Sequence, residues 1–368
     1  MWTYRNPVRI EFGAGRFGEI AKAIAGRPYC LVTYPDAPFT TMTKRLVNEA
    51  GEPAALIRDV EPNPAYESLD RAAKEFANAS KQPGVIIALG GGSAMDTAKV
   101  VAASDGDFAR VRTYVETGKG AEKLGRTPII AVPTTAGTGS EVTCWATVWD
   151  TKNKKKYSLA RPELYPEAAI LDPEVTLGIP RALTVSTGLD ALSHALESLW
   201  NTNANPVSAN HAVFAAQEVL ECLPALAKDL QSLELRSRLM RASLFAGLAF
   251  SNTKTALAHS ISYHFTLHHG VPHGIACSFS LPLVMKSAIG RGDLCDGALR
   301  RIFGHDLDAG VKRLEDLLDG LGVSRRPGDH GVDNKIWLSV IDDAFGGERG
   351  RNFIGSREAM FEAARTVQ

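Results

Sequence analysis

Short apolar runs and stretches of helical spacing alternate along the first half of the chain. Residues 29–33 form a short apolar, β-branched run and 54–57 a second one. Residues 85–89 and 128–132 are continuous apolar runs, the pattern of strands buried on both faces. Between them, 40–50 and 66–79 repeat their apolar positions at helical intervals. Strands separated by helices of this length predict a parallel, Rossmann-like sheet with helices on both faces. From Pro180 onward the pattern changes. Long amphipathic stretches dominate, over 187–200, 206–223, 233–250 and 253–264, and strand patterns are absent. The second stretch is expected to end where Pro224 breaks it. Leu171, Asp172 and Pro173, then Ile179 and Pro180, punctuate the change. The expectation is an α/β domain over 1–178 and an all-α domain over 179–368, with a ligand cleft at their junction.

Composition narrows the function classes. The 368 residues are 45% hydrophobic, enough for two cores, and Lys+Arg and Asp+Glu each number 41, so the net charge is zero. That argues against a nucleic-acid partner, which demands a basic surface. The five cysteines, Cys30, Cys144, Cys222, Cys277 and Cys295, are dispersed with no CxxC, which reads as reduced thiols in a cytoplasmic protein. Residues 1–7 are polar and strand-like, without a basic segment leading into an apolar one, so no signal peptide is expected. No apolar run reaches the ~20 residues of a membrane span.

Two loops carry candidate chemistry. Gly90, Gly91 and Gly92 follow the 85–89 run and precede Ser93, a plausible N-cap for the next helix. Free amides at that helix start suit a pyrophosphate. The pattern is not GxGxxG, and a plain tight turn is an equal reading. A second loop, 133–141, follows the 128–132 run and is dense in hydroxyls and glycines, among them Thr134, Thr135 and Thr138. It leaves the same edge of the sheet, which fits a ligand crevice at the carboxyl ends of parallel strands. A solvated loop is the alternative.

The helical half contains a metal-like constellation. Asp190 and His194 are i and i+4 on one helix face, a spacing that grips a divalent cation or makes an ordinary surface pair. His259 lies on another apolar helix and His273 in a turn over 270–274. Histidines in apolar surroundings are often only hydrogen-bonded core residues. One Asp and three His in separate segments of a His-poor chain favour metal, and the donor set suits Fe(II) or Zn(II).

Taken together, the segments 90–99, 133–141, 171–173, 188–197 and 259–274 resemble the iron-containing (group III) alcohol dehydrogenase family over almost the whole chain. The resemblance implies a dinucleotide-binding domain followed by a helical metal domain, in the dehydroquinate synthase-like architecture. It implies that Asp190, His194, His259 and His273 are the metal ligands. It further implies that Gly91, Gly92, Ser93 and Asp96 meet the pyrophosphate and nicotinamide side of NAD(P)H, that Thr134 and Thr135, with Thr138 in the same loop, make further cofactor contacts, and that Lys156 lies near the nicotinamide ribose. A small aldehyde or alcohol is the implied substrate, and homo-oligomers are the family habit.

Two departures stand out. Many members carry a second histidine four residues after the third ligand; here that position is Tyr263, with His264 beside it and about 100° round the helix. The remaining proton donors are water, the cofactor ribose hydroxyls, His268 and Tyr263. After the first strand, Tyr34 stands where NAD-specific members place the Asp that holds the adenosine ribose, with Asp36 close by, so NADH and NADPH both stay open. The stretch 252–263 is similar to the branch that includes phosphonoacetaldehyde reductases. Lys254, five residues before His259, is the candidate to hold an anionic substrate tail; an exposed lysine at a helix start is the plain alternative. Two further readings keep the architecture, a polyol(-phosphate) dehydrogenase and a dehydroquinate-synthase-like lyase; a third is a non-catalytic binding protein.

Overall fold

The computed structural model describes residues 1–366 and divides into two compact units. The first comprises Asn6–Thr135 and Ser140–Gly178. Its eight strands are β1 (Arg9–Phe12), β2 (Tyr29–Val32), β3 (Ala55–Ile57), β4 (Val85–Gly90), β5 (Ile129–Pro133), β6 (Trp145–Asp150), β7 (Lys155–Ala160) and β8 (Ala168–Leu171). Six form one sheet in the order β1-β8-β5-β4-β2-β3, every pair parallel. β6 and β7 form a separate antiparallel hairpin. The helices of this unit are α1 (Ile20–Ile24), α2 (Phe39–Ala50), α3 (Tyr66–Ala77), α4 (Gly92–Ser104) and α5 (Phe108–Thr117).

The period of two explains the layering. Successive strand side chains point to opposite faces. Val85, Ile87 and Leu89 of β4 join Ile20, Ile24 and Leu46 in one core, whereas Ile86 and Ala88 join Leu69, Met95 and Val101 in the other. Both faces are therefore covered, which is why β4 and β5 contain no exposed residue. The chain leaves β2 toward β3, then returns to β4 and continues outward through β5 and β8. The reversal lies between β2 and β4, and crevices at such switch points are where doubly wound sheets take ligands.

The second unit comprises Met1–Arg5, Ala136–Gly139 and Ile179–Gln368. It holds α6 (Arg181–Leu199), α7 (Pro206–Leu226), α8 (Leu233–Thr253), α9 (Leu257–His269), α10 (His273–Ala276), α11 (Leu281–Ala288), α12 (Asp293–Phe303), α13 (Leu307–Leu321), α14 (Asn334–Gly346) and α15 (Arg357–Thr366). From Gly188 to Leu199 every residue of α6 is buried, so α6 is the central helix of this unit. Among the described residues no helix is long and apolar enough to cross a membrane.

Three local expectations are corrected. α7 continues through Pro224 to Leu226, because Leu223 and Leu226 are both fully buried and their packing outweighs one lost backbone bond. The 253–264 stretch begins as a helix only at Leu257: Lys254 closes α8 with φ of 65°, and Ala256 is the residue before α9. Ser93 is not the N-cap of α4; Gly91 is, in extended backbone, and Ser93 lies in the first turn, where its Oγ accepts from Asn63 N at 3.4 Å.

Candidate active site

Asp190 and His194 lie one turn apart on α6 and point the same way. His259 comes from α9, and His273 opens α10. Around Asp190 Oδ1 stand His259 Nε2 at 3.5 Å, His194 Nε2 at 3.8 Å and His273 Nε2 at 3.9 Å. Three imidazole nitrogens thus face one carboxylate oxygen. Burial alone would raise the Asp190 carboxyl, but the histidines around it hold it well below the usual carboxylate range. Burial depresses His194 to about 4, leaving it neutral with a free lone pair.

The outer contacts orient these rings. Glu197 continues the α6 face, three residues past His194, and is fully buried. Its Oε2 accepts from His259 Nδ1 at 2.6 Å and from Ala256 N at 3.0 Å, and its Oε1 accepts from His259 N at 3.2 Å. Against the Glu197 carboxylate, His259 carries a proton on Nδ1 and turns Nε2 toward Asp190. Nε2 is buried and has no hydrogen-bond partner, an arrangement that a cation satisfies and an empty protein core avoids. His194 is fixed in the same sense, with Nδ1 donating to the Gly137 carbonyl at 3.2 Å. Its ring stacks on Phe250 of α8 at 4.1 Å and on His259 at 4.6 Å. The donor set, its tautomers and the orphaned nitrogen fit a divalent metal.

Sequence reasoning passed over Glu197, although positions 190, 194 and 197 share one helical stripe. It also passed over Cys277, whose Sγ donates to Asp190 Oδ1 at 3.3 Å. Cys277 groups with Asp190, His259 and His273 as atoms close enough to share one ion. Burial and the neighbouring Asp190 push its thiol well up, so it remains protonated. α10 reaches α6 through Gly274, where a Cβ would collide with the Ser186 carbonyl oxygen.

The remaining candidates fall in different places. Tyr263 is one turn past His259 on α9, and the Arg349 guanidinium lies over its ring, 5.0 Å from the centroid. Burial pushes the phenol up to about 12 despite Arg349. Lys254 does not share a helix with His259; its Nζ pairs with Glu348 Oε1 at 3.0 Å, both side chains more than half exposed. His268 is exposed and, nine residues past His259, about 180° round α9 from it. His264 sits beside His268, ring centroids 4.8 Å apart.

In the α/β unit, the cofactor candidates gather at the carboxyl ends of β2, β4 and β5. Gly92 opens α4 at the carboxyl end of β4, and the Ala94 and Met95 amides donate back to the Gly91 carbonyl at 3.1 and 3.2 Å; a helix N-terminus of this kind suits an anionic group. A Cβ on Gly90 would strike the Tyr34 ring at 2.7 Å, and one on Gly91 would press Thr135 Oγ1 at 3.1 Å. Thr134 N donates back to Gly90 O at 3.0 Å. The Asp96 carboxylate accepts from Thr147 N at 2.9 Å and Ser140 Oγ at 3.1 Å, with Lys99 and Lys156 countering its burial. Lys156 Nζ lies over the Trp149 ring at 5.2 Å. Asp36 is exposed beyond β2. Thr138 belongs to the segment Ala136–Gly139, counted with the helical unit, where Gly137 packs on Thr187 and Gly139 on Gly247.

Residues 7–173 match the family model described as iron-containing alcohol dehydrogenase, and 184–355 match the C-terminal model of the Fe-containing alcohol dehydrogenase family. The chain is 34% identical over 294 residues to the NAD-dependent methanol dehydrogenase of Bacillus methanolicus, covering 77% of this chain and 75% of that protein. It is also 34% identical over 297 residues to the phosphonoacetaldehyde reductase of Streptomyces viridochromogenes, covering 77% and 71%. Among solved structures it is similar to the sulfoacetaldehyde reductase of Bifidobacterium kashiwanohense in complex with NAD+, with a TM-score of 0.90, 30% identity, and 100% and 98% of the two chains covered.

Proposed function

Since the chain belongs to the iron-containing alcohol dehydrogenase family, we propose that it reduces a small aldehyde carrying a tetrahedral oxyanion, phosphonate or sulfonate, to the corresponding alcohol. The observation that carries the reductase chemistry is the convergence of His194, His259 and His273 on Asp190 Oδ1 within 3.9 Å, with His259 Nε2 buried and unpartnered. Support for the acidic tail comes from two relatives of high coverage, one a phosphonoacetaldehyde reductase and the other a sulfoacetaldehyde reductase.

In this reading Asp190, His194, His259 and His273 hold Fe(II) or Zn(II), and the loops at Gly91–Ser93 and Thr134–Thr135 hold NADH or NADPH. When bound, the cation supplies Lewis-acid polarisation of a carbonyl oxygen and the reduced nicotinamide supplies the hydride. The protein's own share is to fix that geometry. Glu197 and the Gly137 carbonyl set two imidazole tautomers, so that neither ring must reorient on loading. Phe250 holds the plane of His194. Asp190 contributes one negative charge kept ionised by its neighbours. Tyr263 keeps its proton at neutral pH and is a poor donor; His268 faces away. The product's proton therefore comes from water or from the cofactor ribose.

The test is a panel of aldehydes with NADH and NADPH, run on metal-free protein and after reconstitution with Fe, Zn and Mn. Asp190→Ala and His259→Ala should lose bound metal and aldehyde reduction together. Full turnover by the metal-free protein would sink the mechanism.

A further inference from the structure

The Tyr263 ring is covered by a guanidinium far away in sequence, that of Arg349. Tyr263 occupies the position one turn beyond the ligand candidate His259, so the two share a face of α9. The guanidinium lies over the phenol ring. Its Nε donates to Thr255 Oγ1 at 2.8 Å. Thr255 is itself buried, and its carbonyl accepts from Asn352 Nδ2 at 3.0 Å. A ring face and one fixed hydrogen bond together set the orientation of the guanidinium. They leave its edge with Nη1 and Nη2, the fork that matches two oxygens of a tetrahedral anion.

Charge balance points the same way. The carboxylate next in sequence, Glu348, is taken by Lys254 at 3.0 Å. Among the described residues no carboxylate forms an ion pair with Arg349. Lys254 is an exposed point charge already compensated at the surface by Glu348. Arg349 is half-buried and oriented, and Glu348, which also feels its charge, is bonded to Lys254 rather than to it. A half-buried guanidinium whose outer edge makes no ion pair is open to an anionic ligand.

We infer that Arg349, laid over Tyr263, is the residue that recognises the oxyanionic tail of the substrate, a role that rests on the aldehyde-reductase reading above. Tyr263 is then a platform: an aromatic face where a histidine would present only a small ring. Lys254 acts at one remove, keeping Glu348 away from the guanidinium.

The test uses metal-reconstituted enzyme with reduced nicotinamide, as wild type, Arg349→Ala and Arg349→Lys. For each, kcat/KM is measured with phosphonoacetaldehyde, sulfoacetaldehyde and butanal. Binding of ethylphosphonate and ethanesulfonate, which have no carbonyl to reduce, is measured by calorimetry on the same protein. Arg349→Ala should lower the ratio of acidic to neutral kcat/KM by roughly 10–100-fold, through KM, and weaken ethylphosphonate by a similar factor. Arg349→Lys should recover part of both, because it restores the charge without the fork, and it reads recognition even where the alanine variant folds poorly. A loss on either acidic aldehyde sustains the assignment, and the larger loss identifies the tail. A wild type that prefers acidic aldehydes, with a ratio unchanged within twofold in both variants, overturns Arg349 while leaving the reductase reading intact. Arg349-dependent binding of ethylphosphonate by a protein that reduces no aldehyde would overturn the reductase reading and keep the anion site.

Discussion

Glu197→Gln tests whether the metal site depends on one buried carboxylate that touches no substrate. The side chain has no exposure and accepts three hydrogen bonds, from His259 Nδ1, Ala256 N and His259 N. Glutamine is isosteric but offers only one oxygen. If its amide nitrogen takes the Oε1 position, it faces the His259 backbone N–H, donor against donor. If it takes the Oε2 position, it faces Ala256 N and His259 Nδ1, and the imidazole must move its proton to Nε2. That proton would then point at Asp190, in the space reserved for the cation. Each arrangement loses at least one bond to a charged acceptor, worth about 1.5–3 kcal/mol, and strands a buried donor at a further cost of about 1–3 kcal/mol.

We expect metal affinity to fall about 10–100-fold, the usual consequence of losing such an outer partner. The melting midpoint should drop by roughly 5–24 °C, at about 2–4 °C per kcal/mol. Equilibrium dialysis with elemental analysis and calorimetry reads the two effects separately. The pH dependence gives a third check. Burial would raise Glu197, but His259 and two backbone amides hold it below its ordinary 4.5. A carboxyl lowered in the fold stabilises fully above its unfolded value, and that contribution is lost as pH falls below about 4.5 toward the folded value. Metal-free Glu197→Gln should therefore show a shallower acid limb than metal-free wild type. Wild-type affinity together with an unchanged melting point would refute the tautomer argument.

Other substitutions probe separate parts of the molecule. Gly274→Ala places a Cβ against the Ser186 carbonyl, so α10 must move and carry His273 with it; metal content should fall, with a stability loss of about 1–3 kcal/mol read by denaturant titration. Lys99 is buried and donates to Ser140 O, Ser140 Oγ, Thr143 Oγ1 and Trp145 O at 2.7–3.2 Å. Lys99→Met should cost about 3–5 kcal/mol and weaken NADH binding measured by fluorescence, because the Ser140 end of the second glycine-rich loop loses its anchor. Tyr263→Phe should lower kcat/KM less than about tenfold and leave the pH–rate profile in place; a displaced profile would restore the phenol as proton donor.

What could be read from the chain follows from how local each signal is. β4 and β5 announce themselves because every residue of each is buried, which forces a continuous apolar run. β1 is an edge strand in which Arg9 and Glu11 alternate with Ile10 and Phe12, so no such run exists. β8 is fully buried too, but two of its four residues are alanines, which carry little strand preference. The β6–β7 hairpin hides because the lysines from 152 to 156 span its turn and the start of β7, reading as a charged loop. Pro224 misleads because proline removes one helix bond, whereas burial of the two flanking leucines is a tertiary fact.

The same distinction runs through the site. Asp190, His194 and Glu197 all belong to one face of α6, so their proximity is a property of 3.6 residues per turn and is visible in the sequence. The position of His259 depends on α9 starting at Leu257, a boundary set by the left-handed Lys254 rather than by apolar spacing. His273 and Cys277 depend on a four-residue helix with no periodicity of its own, held against α6 only because Gly274 lacks a side chain. Arg349 depends on nothing local at all: it meets Tyr263 through the packing of α9 against the segment that follows α14. The metal chemistry is thus written partly in helical spacing. The group proposed to choose among aldehydes is placed by tertiary structure alone: Lys254 lies near His259 in the chain, whereas Arg349 reaches the Tyr263 ring from 86 positions further on.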